Sequence, residues 1–284
     1  MAPCMALQSC TARLQCVRAP ARRRSASTPR CSASTAADCA SLKLRLLRVA
    51  ACSDRGQLHN NFVWGANAYV AERAEAASLV DALEAAFVGP CTPTQLDGDW
   101  ELTYASGQLF RSSPFFLAVS EAFNDTKKSE LFFRLHELQV ASFGISRYGR
   151  VEQSIDTASG TLTSAFTTLL FGLTVVPLIG WGKLLPTFGG RVLSYARDVR
   201  LEDNGRSLSL ELDRTRVEQA PGVALMPLVG RFLIGRDAPV GAVWRLLPWN
   251  QGRAPTCRLE CTYVDGDTRV MRDRDGAFFV YMRC

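Results

Sequence analysis

Histidine is scarce in this chain, with 2 residues among 284. His59 falls in an early loop and His136 in a helix-like segment, and neither has a second ligand or a catalytic partner at a recognisable spacing. The sequence also lacks the GxSxG, HExxH and phosphate-binding glycine motifs of hydrolytic and nucleotide chemistry. These absences predict no metal site, no catalytic residues and no cofactor, so we expect a protein that is not an enzyme.

No apolar run in the sequence continues without interruption for the thickness of a bilayer. The stretch FGLTVVPLIGWGKLLPTFGG, residues 171–190, carries one charge at Lys183, but Pro177, Pro186 and five glycines divide it. A spanning helix needs about 20 mostly apolar residues with every backbone group bonded inside the helix. The similar segment 225–234 is interrupted by proline, glycine and arginine. We therefore predict no transmembrane helix, and both segments need another explanation.

Acidic residues are missing from the first 37 positions, which contain six arginines among many Ser, Thr and Ala. That composition is typical of an organelle transit peptide, and no apolar core of a secretory signal precedes Arg30. We predict a transit peptide over residues 1–37, with a disordered basic tail as the alternative. The six arginines account for the whole formal net charge of +6. The remaining chain is near neutral, which argues against nucleic acid as a partner.

Few cysteines remain once the predicted transit peptide, and Cys39 at its edge, are set aside. Cys52, Cys91, Cys257, Cys261 and Cys284 form an odd and scattered set, which does not make a disulfide framework. Cys257 and Cys261 are four residues apart in a predicted strand, so both point to one face at about 13 Å separation, too far to share one metal. We interpret this pair as core residues, and its redox role stays open.

Two helices are predicted in an N-terminal segment, residues 38–95. The first, LKLRLLRVAAC, follows capping residues and ends before Gly56. The second covers residues 67–87, where apolar side chains recur at helical spacing ahead of a Gly-Pro pair. We expect both helices to cover one end of the domain that follows, residues 96–284.

Residues 96–284 carry the alternating patterns and turn signals of β structure, among them the strong hairpin signal Asn204-Gly205. Helical spacing returns between about residues 113 and 141, which predicts an insertion of two short helices. Eight antiparallel strands with N-terminal helices predict an α+β fold that is mainly β, closed as a small barrel wide enough for side chains or one small ligand. The predicted strands cover residues 99–105, 150–155, 161–167, 191–201, 207–217, 256–264, 268–272 and 277–283.

Two long connections between predicted strands are apolar, although connections normally cross the surface and are polar. They predict a ligand mouth or a lipid-facing rim, with an ordinary lid over the core as the alternative. The residues predicted to contact lipid or ligand are Phe171, Leu173, Val175, Val176, Leu178, Ile179, Trp181, Leu225, Met226, Leu228, Phe232 and Leu233.

Four acidic residues lie close together near the C-terminus, at Asp265, Asp267, Asp273 and Asp275. Paired carboxylates can bind a cation or carry out acid–base chemistry. Their positions beside glycines fit turns in which Asp bonds its own backbone, and arginines alternate with them. We therefore predict turns on a solvated charged face.

Two motifs stand near the ends of this domain. LDGDWELTYAS opens it, and YVDGDTRVMRDRDGAFFVYMR closes it with an aromatic-x-Asp-x-Asp-x-Arg-x-x-Arg pattern followed by Gly. With the earlier Arg55-Gly56 pair, they resemble the plastid lipid-associated protein family, also called PAP/fibrillin. The motif residues to which we assign a structural role are Gly98, Trp100, Tyr104, Asp265, Asp267, Arg269, Arg272 and Gly276.

The resemblance implies a lipocalin-like barrel and a plastid protein at thylakoids or plastoglobules, with the stroma left open. The family is associated with lipids, carotenoids and quinones, and it has no catalytic residues to carry over. The implied function is therefore non-enzymatic, with a lipophilic small molecule or a membrane lipid surface as the partner. Two alternatives stay open: an enzyme acting on a lipophilic substrate through Tyr104, Tyr195 or an acid, and a scaffold that binds a protein through its apolar rim.

Trp100 has a packing role in this interpretation. Placed on the first strand, it can close one end of the barrel beneath a guanidinium from the last strands, either that of Arg269 or that of Arg272. A stacked cation–π pair of this kind contributes about 0.5–2 kcal/mol. The sequence therefore predicts contact between the opening and closing motifs.

Overall fold

The computed structural model describes seven stretches of the chain. They are residues 33–58, 69–123, 125–142, 147–170, 188–219, 234–246 and 250–284. His59, most of the predicted transit peptide and most of both apolar segments lie outside these residues. Within them, no helix is both long and apolar enough to cross a membrane.

Helices gather near the N-terminus and in the predicted insertion. The first begins earlier than its expected caps, because alanine-rich sequence favours helix. The insertion forms two helices, as predicted. The helices are α1 (Ala33–Cys52), α2 (Val70–Ala86), α3 (Pro93–Leu96), α4 (Pro114–Phe123), α5 (Thr126–Ser142) and α6 (Val240–Leu246), with short 3₁₀ turns at Leu109–Ser112 and Asp203–Gly205.

Strands occupy all eight predicted positions, and a two-residue strand adds a ninth within the described chain. Asn204 and Gly205 adopt positive φ angles of 56° and 82° between two long strands, which explains the Asn-Gly pair there. The strands are β1 (Gly98–Ala105), β2 (Arg147–Asp156), β3 (Thr161–Leu170), β4 (Phe188–Glu202), β5 (Ser207–Gln219), β6 (Asp237–Ala238), β7 (Thr256–Val264), β8 (Thr268–Arg272) and β9 (Phe278–Arg283).

The strands pair into a closed ring. Every strand-to-strand ladder is antiparallel, and the order is β4-β3-β2-β1-β9-β8-β7-β5-β6. β4 also pairs with β5, so the pairing that starts at β4 returns to it through seven other strands. The ring leaves β6 as a short addition to β5. The predicted α+β class, mainly β with N-terminal helices, is confirmed.

Two apolar cores lie on opposite faces of the ring wall. The inner core contains Trp100 and Leu102 of β1, and Leu117 of α4 joins it, so the insertion belongs to the core. The outer core joins Leu83 of α2 to Val280 of β9. The expectation that the N-terminal helices cover an end of the domain was wrong. They cover the outside of the wall, where Val270 of β8 and Phe278 and Val280 of β9 are apolar and need burial.

A bulge in β1 changes which face its residues occupy. The register with β9 shifts between Leu102 and Tyr104. Trp100 and Leu102 lie in the inner core, whereas Tyr104 lies in the outer core and stacks on Phe278 with ring centroids 5.7 Å apart. Simple alternation, which places all three side chains on one face, is therefore wrong for Tyr104.

Gly98 is required at the start of β1. Its φ is 122°, and a Cβ built there would lie 2.6 Å from Nη1 of Arg283.

We expect Gly98→Ala to lower the free energy of unfolding by about 1–3 kcal/mol, because both the backbone and the guanidinium must shift. Gly266→Ala is the matched control, since nothing lies within 4 Å of its Cβ position. Urea unfolding measures both, and equal stabilities would contradict the assignment.

Candidate functional site

Arg269 crosses the interior of the ring. It starts on β8, and its guanidinium carbon lies 4.3 Å from the ring centroid of Tyr281 on β9 and 4.8 Å from that of Trp100 on β1. Its Nη2 then donates a hydrogen bond of 2.7 Å to Oε1 of Gln153 on β2. One side chain therefore contacts three strands besides its own, and the predicted pairing of Trp100 with a guanidinium is confirmed for Arg269.

Arg272 lies on the opposite face of β8. Its guanidinium pairs with Glu84 of α2 at 2.8 Å and with Asp81 at 2.9 Å. It also sits 5.3 Å from the ring centroid of Phe278. Residues three apart on a strand point to opposite faces, so the alternative that placed Arg272 over Trp100 was wrong. Arg272 ties a helix to the outside of the wall.

A second guanidinium lies over Trp100 and closes this end of the ring. Arg283 places its guanidinium carbon 4.2 Å from the indole centroid. It donates hydrogen bonds to the carbonyl oxygens of Gln95 and Asp97 at 2.6 and 2.5 Å. The indole Nε1 of Trp100 donates to the carbonyl of Leu96 at 2.8 Å. The opening and closing motifs therefore form one unit.

Arg269 is buried without an acidic partner. Its exposed fraction is 1%, and it forms no ion pair with a carboxylate of the described chain. Nε of its guanidinium has no hydrogen-bond acceptor in that part of the chain. Burial lowers the pKa of the guanidinium, yet an arginine keeps its proton in proteins. A buried positive charge therefore remains, offset by two aromatic faces and one amide oxygen.

A row of polar side chains continues round the inner wall from Gln153. The register pairs Gln153 with Ser164, Ser164 with Ser194, and Ser194 with Thr215, on strands β2 to β5. Directly paired residues point to the same face of a sheet. The hydroxyls of Ser164, Ser194 and Thr215 are buried and have no hydrogen-bond partner among the described residues. The inner wall therefore carries unused polar groups in the row that begins at Gln153.

Apolar rows flank this polar row on both sides. On β2, β3 and β4 the flanking residues lie two positions from the polar row, so their side chains share its inner face. On β5, Val217 lies two positions from Thr215, and Leu212 lies three positions away across a register shift. The row toward the end closed by Trp100 contains Ile155, Leu162, Ala196 and Leu212, and the row on the other side contains Val151, Phe166, Val192 and Val217. A polar band between apolar bands suits a molecule with a polar group and an apolar body.

The two apolar connections leave the ring at one end. Leu170 pairs with Phe188 and Gly190 pairs with Gln219, so the β3–β4 connection and the segment after β5 start together. This end lies opposite the one closed by Trp100. The predicted lipid-contacting residues themselves lie outside the described residues, namely Phe171, Leu173, Val175, Val176, Leu178, Ile179, Trp181, Leu225, Met226, Leu228, Phe232 and Leu233.

The acidic residues of the last strands act mainly in turns. Asp265 accepts hydrogen bonds from the backbone amides of Asp267 and Thr268, as predicted. Asp273 similarly accepts from the amides at 275 and 277, but it is buried and paired with Arg111 at 2.8 Å. A wholly solvated face was therefore wrong, because Arg111 pairs with Asp273 and two serines of the insertion, Ser120 and Ser129, contact Asp275. Sequence patterns did not reveal Arg111 as the partner of Asp273, since the two are distant in the chain.

The tyrosines considered for an enzyme lie outside the ring. Tyr104 belongs to the outer core, and Tyr195 lies next to the inward-facing Ser194, under Arg214 at 4.4 Å. Tyr195 lines a groove of about 320 Å³ together with residues of β3 and β5. Within the described chain, no three His, Cys, Asp or Glu side chains form a metal-binding group.

The paired cysteines of β7 are core residues, as predicted. Cys257 and Cys261 are buried in the inner core. Burial raises the pKa of the Cys257 thiol, and a hydrogen bond with Cys91 together with burial raises that of Cys261. Thiols with raised pKa values react slowly, because the thiolate is the reactive form.

Comparisons of the chain with protein-family models, with curated proteins and with solved structures found no match.

Asp265 links α1 to the turn between β7 and β8. Burial raises the pKa of its carboxyl, but hydrogen bonds from Lys43 and Tyr263 outweigh burial and lower it to about 2. Its stabilising effect is therefore present above about pH 4 and is lost as the pH falls toward 2. We expect Asp265→Asn to be less stable than the native protein at neutral pH, with the difference shrinking below about pH 4.

Denaturant unfolding at a series of pH values measures this difference. Lys43→Met is the control background, because it removes the cation that donates to Asp265 at 2.8 Å. The pH dependence of the Asp265→Asn effect should shrink there. A difference that stays constant from neutral pH down to about pH 2 would contradict the assignment.

Proposed function

We propose that the protein is a non-enzymatic, lipocalin-like carrier or organiser of lipophilic molecules, similar to the PAP/fibrillin family. The observation that carries the proposal is the closed ring with an apolar inner wall, from one end of which two long apolar connections leave. Apolar connections at the mouth of such a ring suit entry of a lipophile or contact with a lipid surface.

The motif residues behind the resemblance give independent support. Gly98 and Trp100 at one end of the domain contact Arg269 and Arg283 at the other, through side chains that the motifs specify. Gly276, with a φ of 82°, ends the turn before β9. These contacts give the sequence pattern a structural reason, which favours a shared architecture over a chance match.

Location follows from the same resemblance. We propose a plastid protein at thylakoids or plastoglobules, with a membrane lipid surface or a lipophilic small molecule as its partner. The basic, acid-free N-terminal composition supports import into an organelle. The near-neutral remainder makes apolar contact, rather than attraction to anionic lipid, the expected mode of association.

The apolar connections can be tested directly by adding charge to one of them. We expect Val176→Asp with Ile179→Asp to abolish flotation of the full chain with neutral galactolipid vesicles, because burying two carboxylates in lipid is unfavourable. The thermal unfolding midpoint should change little. Ala158→Asp with Ser159→Asp is the matched control, since it adds the same charge at exposed positions in the β2–β3 turn, at the opposite end of the ring.

The control variant should float as well as the native chain. If the Val176→Asp, Ile179→Asp variant also floats and melts normally, the connections do not form the lipid contact. If it unfolds, the segment is instead a lid over the core, which was the alternative interpretation of these residues.

A further inference from the structure

The buried charge of Arg269 is uncompensated in the described chain. Native proteins rarely leave a buried ion without an opposite charge, because the loss of hydration is not repaid. Both stacking partners are neutral aromatic rings, and the hydrogen-bonded partner is the neutral amide of Gln153. The free Nε lies on the edge of the guanidinium with which a carboxylate can form two parallel hydrogen bonds.

The unused hydroxyls of Ser164 and Ser194 lie one and two strands from Gln153, the acceptor of Arg269. Gln153, which accepts from Arg269, is paired directly with Ser164, and neighbouring strands are about 4.8 Å apart. Ser164 is 0% exposed and Ser194 is 1% exposed, and neither hydroxyl has a partner in the described chain. Buried polar groups are nearly always hydrogen-bonded, so unpartnered hydroxyls in the row that begins at the acceptor of Arg269 point to a missing acceptor.

The flanking rows indicate where the remainder of such a molecule lies. The end beneath Arg269 is closed by Trp100 and Arg283. From Ser164, the inner face of β3 continues through Phe166 toward Leu170, the end from which both apolar connections leave. A ligand whose polar group is held at the polar row can therefore extend its apolar chain toward that end.

We propose that the interior of the ring binds a long-chain carboxylic acid, with its carboxylate on Arg269 and its oxygens within reach of the hydroxyls of Ser164 and Ser194. This inference rests on the proposed lipophile-binding function and names the class of ligand. A carboxylate matches the site because it is planar, singly charged and an acceptor only. The hydroxyls then serve as donors to a ligand that brings no donor of its own.

The test compares an acid with its neutral ester. The delipidated full chain is titrated calorimetrically with hexadecanoic acid and with its methyl ester, at about pH 8 where the acid is ionised. We expect the acid to bind about tenfold more tightly or better, because the ester keeps the chain but loses the charge-assisted hydrogen bonds. Arg269→Met should remove the preference for the acid. Arg272→Met, on the outer face of the same strand, is the matched control and should retain it.

Ser164→Ala keeps the test decisive if Arg269→Met does not fold. Removing an unpartnered buried hydroxyl should leave the unliganded protein as stable as before or more stable. It should weaken binding of the acid severalfold, by about the effect of one hydrogen bond. If Ser164 had only a structural role, its replacement would not preserve stability and lower the affinity for the acid together. Circular dichroism establishes that each variant is folded before titration.

Each further outcome has a definite meaning. Equal binding of acid and ester overturns the carboxylate site but leaves the lipophile-binding function standing. If neither compound binds, both the carboxylate site and the lipophile-binding function are overturned. Binding of hexadecyl phosphate in an Arg269-dependent manner, without binding of the acid, overturns the carboxylate in favour of a phosphate group. Acid binding that is unchanged in Arg269→Met places the carboxylate elsewhere and overturns the proposal.

Discussion

The guanidinium of Arg269 is the interaction on which the interior of the ring depends. A charge that is 1% exposed must have its hydration replaced, and the chain supplies Trp100, Tyr281 and Gln153 from three different strands. These contacts are available only if β8, β9, β1 and β2 are consecutive neighbours. The opening and closing motifs are therefore far apart in the chain and adjacent in the fold, since β1 pairs with β9.

The same strand uses arginine in two different ways. Arg272 faces outward, where Glu84 and Asp81 neutralise it and fix α2 against the wall. Arg269 faces inward and has no acidic neighbour in the described chain. An outward ion pair stabilises by modest amounts and is screened by solvent, whereas an inward charge is much more sensitive to its partners. The outward ion pairs give Arg272 a structural role in holding α2, and the uncompensated inward charge gives Arg269 a role in ligand recognition.

Local sequence signals predicted much of this fold, and long-range register decided the remainder. Period-two alternation and Asn204-Gly205 predicted the strands and a hairpin, because both depend on neighbouring residues. The bulge that turns Tyr104 outward depends on β9 and left no signal in β1. Ser164 and Ser194 looked like ordinary strand residues, and only their pairing across β3 and β4 reveals a polar row. Likewise, no sequence pattern near Asp273 predicted its ion pair with Arg111.

The proposed function requires that the ring encloses a lipophilic molecule. The most direct measurement is native mass spectrometry of the protein purified without detergent from its own organelle, followed by extraction and identification of the released compounds. An enclosed ligand would be found as one class of lipophile at a near-equimolar ratio, released on unfolding. Protein that carries nothing, or only a mixture matching the bulk membrane lipids, would contradict an enclosed ligand and leave the outer surface as the site of lipid contact.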